Sequence, residues 1–403
     1  MARAEQLPLG RGRRETPAER RRRIRTRELA ATRLGPPDGW LLGSVGLVAA
    51  FGLMAVYSAS FAVGLREFNN PYYFFTRQAA ALALGIGAFV VTYLVDYRVW
   101  KRFALWGLLI AYLGLILVWH TGDPQYGASR WLQLGPLPAW QPSEFAKLAL
   151  VIYLASWLEK QAGRRVGFVR WALPFGITVG GLVGLILFQP DLGTAVMVGT
   201  IALGMVFLAG LSAFQIGFVG LAGLAVVGLL AVTEGYRARR LAAFKDPWAD
   251  PQGIGFQIVQ SLIALGSGGL FGRGFGASRQ KFAYVPGAHT DAIFAIVAEE
   301  LGLVGGLFLL SLLGFVGYRC LRVGLNAPDR FGMLLAGGVA TWLVGQTFVN
   351  VGGVTHLIPL AGIPLPLVSY GGSALVVTLA ALGIVANISR HRPAAEADED
   401  GKG

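Results

Sequence analysis

The sequence predicts an all-α polytopic membrane protein of about ten transmembrane helices, and three observations predict it. Of 403 residues, 54% are hydrophobic and only 14% charged, against about 25% charged in soluble domains; mean hydropathy is +0.57. The apolar runs are close to the roughly 20 residues that cross a bilayer as helix, and they lack the alternation of barrel strands. Glycine, at 57 residues, is scattered through those runs, as in bundles whose helix backbones approach closely.

Along the chain, residues 1–38 form a polar basic tail ending at Pro36, Pro37 and Asp38. Eleven of the first 33 residues are arginine, Arg20 to Arg23 among them, so the tail is expected to be disordered, cytoplasmic and drawn to anionic lipid. The net charge of +13 therefore argues for the bilayer surface as partner, not nucleic acid. Apolar spans follow at 41–62, 78–95, 103–120, 144–159, 169–188, 192–210, 214–232, 292–318, 331–351 and 369–388. Residues 39–390 thus form the transmembrane domain. An acidic tail, 391–403, closes the chain, and it too is expected to be disordered and cytoplasmic. No cleavable signal is evident, because the first apolar run is too long for one. Cys320, the single cysteine, provides neither a disulfide nor a thiolate cluster.

Orientation follows from the short loops. With the N-terminus inside, Arg98, Lys101 and Arg102, then Lys160, Arg164, Arg165 and Arg170, then Arg319, Arg322 and Arg330 all fall on the inner side, as positive charge in short loops requires. The long outer segment 233–291 is basic as well, with Arg240, Arg273 and Lys281; long loops escape the rule, and a basic one invites an anionic ligand. Within it, 253–270 reads as an amphipathic or re-entrant helix. A second irregular outer stretch, 352–373, is rich in glycine and proline. Irregular backbone at membrane depth survives where protein buries it or water reaches it, so the two stretches suggest a cavity open to the outer side.

The polar residues that bear chemistry cluster on that side. Asp291 stands where the 278–291 segment enters an apolar helix. A half-shielded carboxylate there suits a general base; it equally suits a helix cap. Glu299 and Glu300 lie about 12 Å deeper at 1.5 Å per residue, either lining a polar cavity or locked to a neighbouring arginine. Glu144 and Lys147 share one helix face, as an ion pair or, with Arg130, as a holder of phosphate charge. Asp191 begins a helix after Pro190, and His289, with no second histidine at ligand spacing, is assigned to hydrogen bonding.

Together, Gly127-Ala-Ser-Arg-Trp131, Gln141-Pro-Ser-Glu144, Gln189-Pro-Asp-Leu-Gly-Thr194, Asp246-Pro-Trp-Ala-Asp250, Ser261-Leu-Ile-Ala-Leu-Gly-Ser-Gly-Gly269, His289-Thr-Asp291, Glu299-Glu300, Pro364-Leu-Pro366 and Ser369-Tyr-Gly-Gly-Ser373 resemble the shape, elongation, division and sporulation (SEDS) family of cell-wall polymerases over about residues 40–390. Asp246 to Asp250, Ser278 to Lys281 and the basic tail look more like the division members than the elongation members. The resemblance implies a peptidoglycan glycosyltransferase that polymerises lipid II into glycan strands at the division septum of the plasma membrane, releasing undecaprenyl pyrophosphate with inversion. It implies Asp291 as the catalytic residue and Arg130 and Lys147 in substrate handling. Arg240, Lys281, His289, Glu144, Asp191, Glu299 and Ser369 join them as candidate substrate-binding residues. A divalent cation, Mg2+ or Mn2+, is the one cofactor considered, with no organic cofactor; the expected partners are a class B penicillin-binding transpeptidase and other division proteins. Elongation-type polymerisation, lipid II flipping and a non-catalytic scaffold stand as alternatives, although no inverted repeat suggests rocking halves. The chain departs from the family pattern at Gly287, where glutamate is common, and at Val285, Ala292 and Ala361, where leucine, phenylalanine and threonine are usual.

Overall fold

The computed structural model describes residues 32–121, 123–125, 128–133, 139–161, 168–233, 235–282 and 285–393. The expected tails over 1–31 and 394–403 lie outside the described residues, as do Gly127, Arg164 and Arg165. In chain order the elements are β1 (Thr32–Leu34), α1 (Gly39–Phe68), α2 (Tyr73–Leu94), α3 (Tyr97–Thr121), β2 (Asp123–Gln125), β3 (Ala128–Trp131), α4 (Pro142–Gln161), α5 (Phe168–Phe188), α6 (Leu192–Leu208), α7 (Ala213–Thr233), α8 (Gly235–Lys245), α9 (Phe256–Gly268), α10 (Ile293–Leu325), α11 (Arg330–Val354), α12 (Gly372–Arg390) and β4 (His391–Pro393).

Each of the ten expected spans is a helix. Seven of the described helices, α1, α2, α3, α5, α10, α11 and α12, are long and apolar enough to cross a bilayer. The other three differ for physical reasons. α6 has 17 residues, and the described apolar stretch of α7 is Ala213–Gly223. α4 carries Glu144, Lys147, Glu159 and Lys160, but α3, α6 and α11 pack around it, so its outer-end charges face protein and not hydrocarbon. On the periphery, Leu84, Ile86 and Val91 of α2 and Phe103, Trp106 and Leu113 of α3 are more than half exposed, the pattern of a surface solvated by lipid.

Both ends of the described chain leave the same end of the bundle. β1 pairs antiparallel with β4, Thr32 opposite Pro393 and Leu34 opposite His391, and Gly35 N donates to Arg390 O at 2.8 Å. The inner-loop charges gather at this end, and three of the basic ones are paired with carboxylates there. Asp38 caps α1 through Leu41 N and binds Arg319; Asp329 caps α11 through Gly332 N at 2.8 Å and binds Arg98 at 3.1 Å; Lys101 binds Glu159.

At the opposite end the outer segment is more structured than a loop. α8 was not expected, and α9, expected as the re-entrant or amphipathic helix, packs against α10. α10 itself is broken at Gly302 (φ 70°), where the segment after α9 is inserted. Arg273 N and Gly274 N donate to Glu299 O and Glu300 O at 3.0 and 2.9 Å, and Leu303 N and Val304 N donate to Gly269 O and Leu270 O at 2.9 and 3.1 Å. The break thus leaves these peptide groups satisfied, as a low-dielectric setting demands. It needs glycine on both sides: a Cβ on Gly302 would lie 2.3 Å from Gly272 N, and one on Gly272 2.1 Å from Glu300 O.

Candidate active site

Asp291 lies two residues before α10, part-buried at the outer end. Its Oδ2 accepts from Gln257 Nε2 of α9 at 3.1 Å, and its Oδ1 lies 3.1 Å from the Thr290 hydroxyl. Arg240 of α8 reaches the same point. It donates to Leu360 O at 3.0 Å, and its guanidinium and the Asp291 carboxylate flank Gly362, whose Cβ would be 3.4 Å from Arg240 Nη2 and 3.8 Å from Asp291 Oδ2. Burial lifts the Asp291 carboxyl above the ordinary carboxylate range, while Gln257, Thr290 and the Arg240 charge pull it back. The result is a carboxylate made more basic by desolvation yet still held by donors, as a proton acceptor must be.

The backbone beneath it is fixed by amides of α11. Asn350 Nδ2 donates to Asp291 O and Ile363 O, both at 2.7 Å. One turn earlier, Gln346 Nε2 donates to Pro364 O at 2.7 Å while its Oε1 accepts from Trp342 Nε1 at 2.7 Å and Lys147 Nζ at 3.0 Å. Lys147 also pairs with Glu144 at 2.8 Å, both side chains 2% exposed, and sits 5.0 Å from the Trp342 ring centroid. Of the two readings open for Glu144 and Lys147, the structure shows the ion pair, and it is a core ion pair joined through Gln346 to the loop beside Asp291.

Other candidates are placed as supports. Arg130 donates from Nε to Gln189 O at 3.2 Å and from Nη2 to Pro190 O, which ties β3 to the turn before α6. Asp191 caps α6, accepting from Thr194 N at 3.1 Å and from the Thr194 hydroxyl at 2.8 Å. Ser369 Oγ accepts from Leu365 N at 2.8 Å, closing a turn, and Ser369 O accepts from Gln78 at 3.1 Å. His289 packs against Phe74 and Tyr370, ring centroids 4.4 and 5.5 Å apart, and burial lowers its pKa to about 4, which keeps the ring neutral. Its Nδ1 has no hydrogen-bond partner, so the hydrogen-bonding role assigned to the ring does not appear at that atom.

Lys281, Glu299 and Glu300 form a separate buried network. Glu299 accepts from Ser278 Oγ and from Arg279 N at 3.0 Å, with Arg273 3.9 Å away. Glu300 accepts from Ser58 of α1 at 2.7 Å and binds Lys281 Nζ at 3.0 Å. Lys281 is 0% exposed and also donates to Gly276 O at 2.5 Å. The expected arginine lock on the glutamates is mainly a lysine-and-serine lock, supplied by the outer segment and α1. Lys281 is therefore not among the cations beside Asp291; Arg240 is. Gln257, Thr290, Gln346 and Asn350 complete the site. Of these, Thr290 and Gln257 lay within segments singled out from the sequence, whereas the two α11 amides, four apart in an apolar helix, were not.

The matching family model, a cell cycle protein family named for FtsW, RodA and SpoVE, covers residues 40–394. A probable peptidoglycan glycosyltransferase FtsW from Geobacter sp. (strain M18) is 40% identical over 87% of this chain and 96% of its own length. Stage V sporulation protein E of Bacillus subtilis (strain 168) is 40% identical over 89% of this chain and 99% of its own. Among solved structures, a chain from a peptidoglycan synthase complex that coordinates polymerization and crosslinking aligns with TM-score 0.72 at 34% identity, covering 88% of this chain and 98% of that one. The rod shape determining protein RodA of Thermus thermophilus aligns with TM-score 0.66 at 32% identity, covering 88% and 97%. The chain belongs to the FtsW, RodA and SpoVE family.

Proposed function

We infer that this chain is a peptidoglycan glycosyltransferase that polymerises lipid II into glycan strands for septal wall synthesis, in the plasma membrane, beside a class B penicillin-binding transpeptidase and other division proteins. The observation that carries the chemistry is the Asp291 carboxylate, raised in basicity by burial and held by Gln257, with Arg240 on the far side of Gly362. The C4 hydroxyl of one lipid-linked sugar attacks the anomeric carbon of a second lipid-linked glycan. The new C–O bond forms as the bond from that carbon to the diphosphate oxygen breaks, with inversion. The hydroxyl proton passes to Asp291, a contribution of about 10²–10⁴-fold for general bases. The electron pair leaves with undecaprenyl pyrophosphate, whose developing charge Arg240 is placed to meet.

Arg130 and Lys147 act in this reading by holding the turns around the site, because their donors are engaged by carbonyls, Glu144 and Gln346. Among the described residues, no three of His, Cys, Asp and Glu gather at one point, so a Mg2+ or Mn2+ in this reading would be held by one or two carboxylates together with the diphosphate.

The test is lipid II polymerisation by the purified chain with its transpeptidase. Asp291→Asn is expected to abolish glycan product while the protein elutes and melts like the parent. Full polymerisation by that variant would refute the general base, and lipid translocation without glycan product would replace the polymerase by a flippase.

A further inference from the structure

Toward its outer end α2 buries Phe74, Gln78, Ala81 and Gly85, one face of the helix at i, i+4 and i+7 spacing. Gln78 is the polar member of that face and is 2% exposed. Its side-chain amide brackets a single residue of the turn that leads into α12. Nε2 donates to Ser369 O at 3.1 Å, and Oε1 accepts from Gly371 N at 3.2 Å. An amide offers a donor and an acceptor side by side, the complement of a peptide C=O and a peptide N–H two residues apart. The start of the same turn is closed within its own loop, by Ser369 N to Leu365 O at 3.0 Å and Leu365 N to Ser369 Oγ at 2.8 Å. Gln78 fixes the far side, at Gly371.

Tyr370, the bracketed residue, is joined to the candidate site through main chain. Its N donates to His289 O at 2.8 Å. Two residues on, Asp291 O accepts from Asn350 of α11 at 2.7 Å. The segment 289–291 is thus pinned at both ends, from α11 directly and from α2 through the bracketed turn. Rings fill the space between: Phe74, one turn before Gln78, packs on His289 and Tyr370 with centroids 4.4 and 5.2 Å apart. Rotation of the peptides around Tyr370 would carry the His289 carbonyl with it, and with that carbonyl the aim of the carboxylate two residues later.

We propose that Gln78 is a positioning residue for glycosyl transfer: by bracketing the 369–371 turn it holds the His289 carbonyl, and through it the direction in which Asp291 meets the attacking hydroxyl, a role that rests on Asp291 as the general base. Gln78 meets main chain on both sides and takes no part in the chemistry itself. The bracket is stiff because breaking it in a buried setting strands a donor and an acceptor. A misplacement of about 1 Å at a reacting group costs about a hundredfold in rate, so a small turn of the 289–291 segment is enough to matter.

Steady-state polymerisation of lipid II by the purified chain with its transpeptidase tests this, with thermal melting recorded for every variant. Gln78→Met fills the space without either hydrogen bond and is expected to lower kcat about ten- to a hundredfold with KM little changed. Gln78→Glu should recover most of kcat at acid pH, measured against the parent at the same pH. A neutral carboxyl donates to Ser369 O and accepts from Gly371 N as the amide does, and this variant decides the matter if Gln78→Met does not fold. Thr92→Val is the control for lost packing. It removes a hydrogen bond between the same two helices, Thr92 Oγ1 to Ala380 O at 2.9 Å, about 21 Å farther along α2 at 1.5 Å per residue. It should lower the melting temperature and leave kcat and KM as in the parent. A parent-like kcat in Gln78→Met, an equal loss in Thr92→Val, or a Gln78→Glu variant that stays at the Gln78→Met rate in acid overturns the proposal and leaves Asp291 as the base. Absence of glycan product from the parent removes the base and its positioning residue together.

Discussion

The side-chain amide of Asn350 donates to the main-chain carbonyl of Asp291 and, with its second hydrogen, to that of Ile363, each at 2.7 Å. One residue near the outer end of α11 thereby sets the register between the turn that carries the proposed base and the loop that Arg240 grips at Leu360. Asn350→Asp keeps the shape but turns a two-hydrogen donor into an acceptor facing two acceptors. A misplacement of the base by about 1 Å costs about a hundredfold, so the expected result is a fall in kcat of about ten- to a hundredfold with little change in KM. Initial rates of lipid II polymerisation by the detergent-solubilised complex check it, with thermal melting to confirm the fold; an unchanged kcat would remove Asn350 from the positioning of Asp291.

Gly287 bears on the carboxylate directly. The residue has φ +67°, and a Cβ built on it would stand 2.1 Å from Asp291 Oδ1. Any side chain at 287 must therefore displace the carboxylate or refold the turn. Gly287→Ala is expected to lower polymerisation at least about tenfold, and Gly287→Glu further. Because the turn lies at the bundle surface, both variants should keep helical content by circular dichroism, with a cost near 1 kcal/mol from the positive φ. Parent-like rates for Gly287→Ala would mean that the carboxylate acts from another position.

The pH dependence follows from the same neighbours. Burial raises the Asp291 pKa and Gln257 lowers it, and the base works only when deprotonated, so activity should fall on acidification through the Asp291 pKa. Removing the Gln257 donor withdraws stabilisation from the ionised form. Gln257→Leu must therefore move the acid limb of kcat to higher pH. His289, with its pKa lowered to about 4 by burial, stays neutral through the usual assay range, so His289→Gln should leave the limb where it is. A limb near pH 6.5 that vanished in His289→Gln would reverse this assignment.

Much of this architecture is legible in the sequence because lipid imposes it locally. Span length, glycine content and the inner-side arginines act within about 20 residues of one another, and the ten helices, the common side of both described ends and the helix at 256–268 all follow from them. The proposed site is legible only in part. Asp291 and Arg240 carry chemistry that a sequence displays. Asn350 and Gln346 look like two polar residues on an apolar helix, and their meaning comes from loops folded back from 360–366. The outer basic charge was misleading for Lys281, since nothing in a run of loop residues tells that a lysine is drawn beneath α1 to meet Glu300.

That Lys281–Glu300 pair gives the sharpest separation of structural from substrate roles. Lys281 is 0% exposed, 3.0 Å from Glu300 Oε1 and 4.8 Å from the Phe61 ring centroid. Removing one partner of such a pair leaves a buried charge and costs about 3–5 kcal/mol, whereas replacing both with neutral groups is often tolerated. Lys281→Met is thus expected to lower the melting temperature and polymerisation together, and Glu300→Gln likewise, because Lys281 then stays buried without its counter-charge. The double variant should regain most of both properties, since the segment it anchors is also held to α10 by Glu299 through Arg279 N and by the main chain at Gly302. A lysine needed by the departing diphosphate behaves otherwise: the double variant would recover its melting temperature but stay inactive, and that combination would return Lys281 to the substrate site.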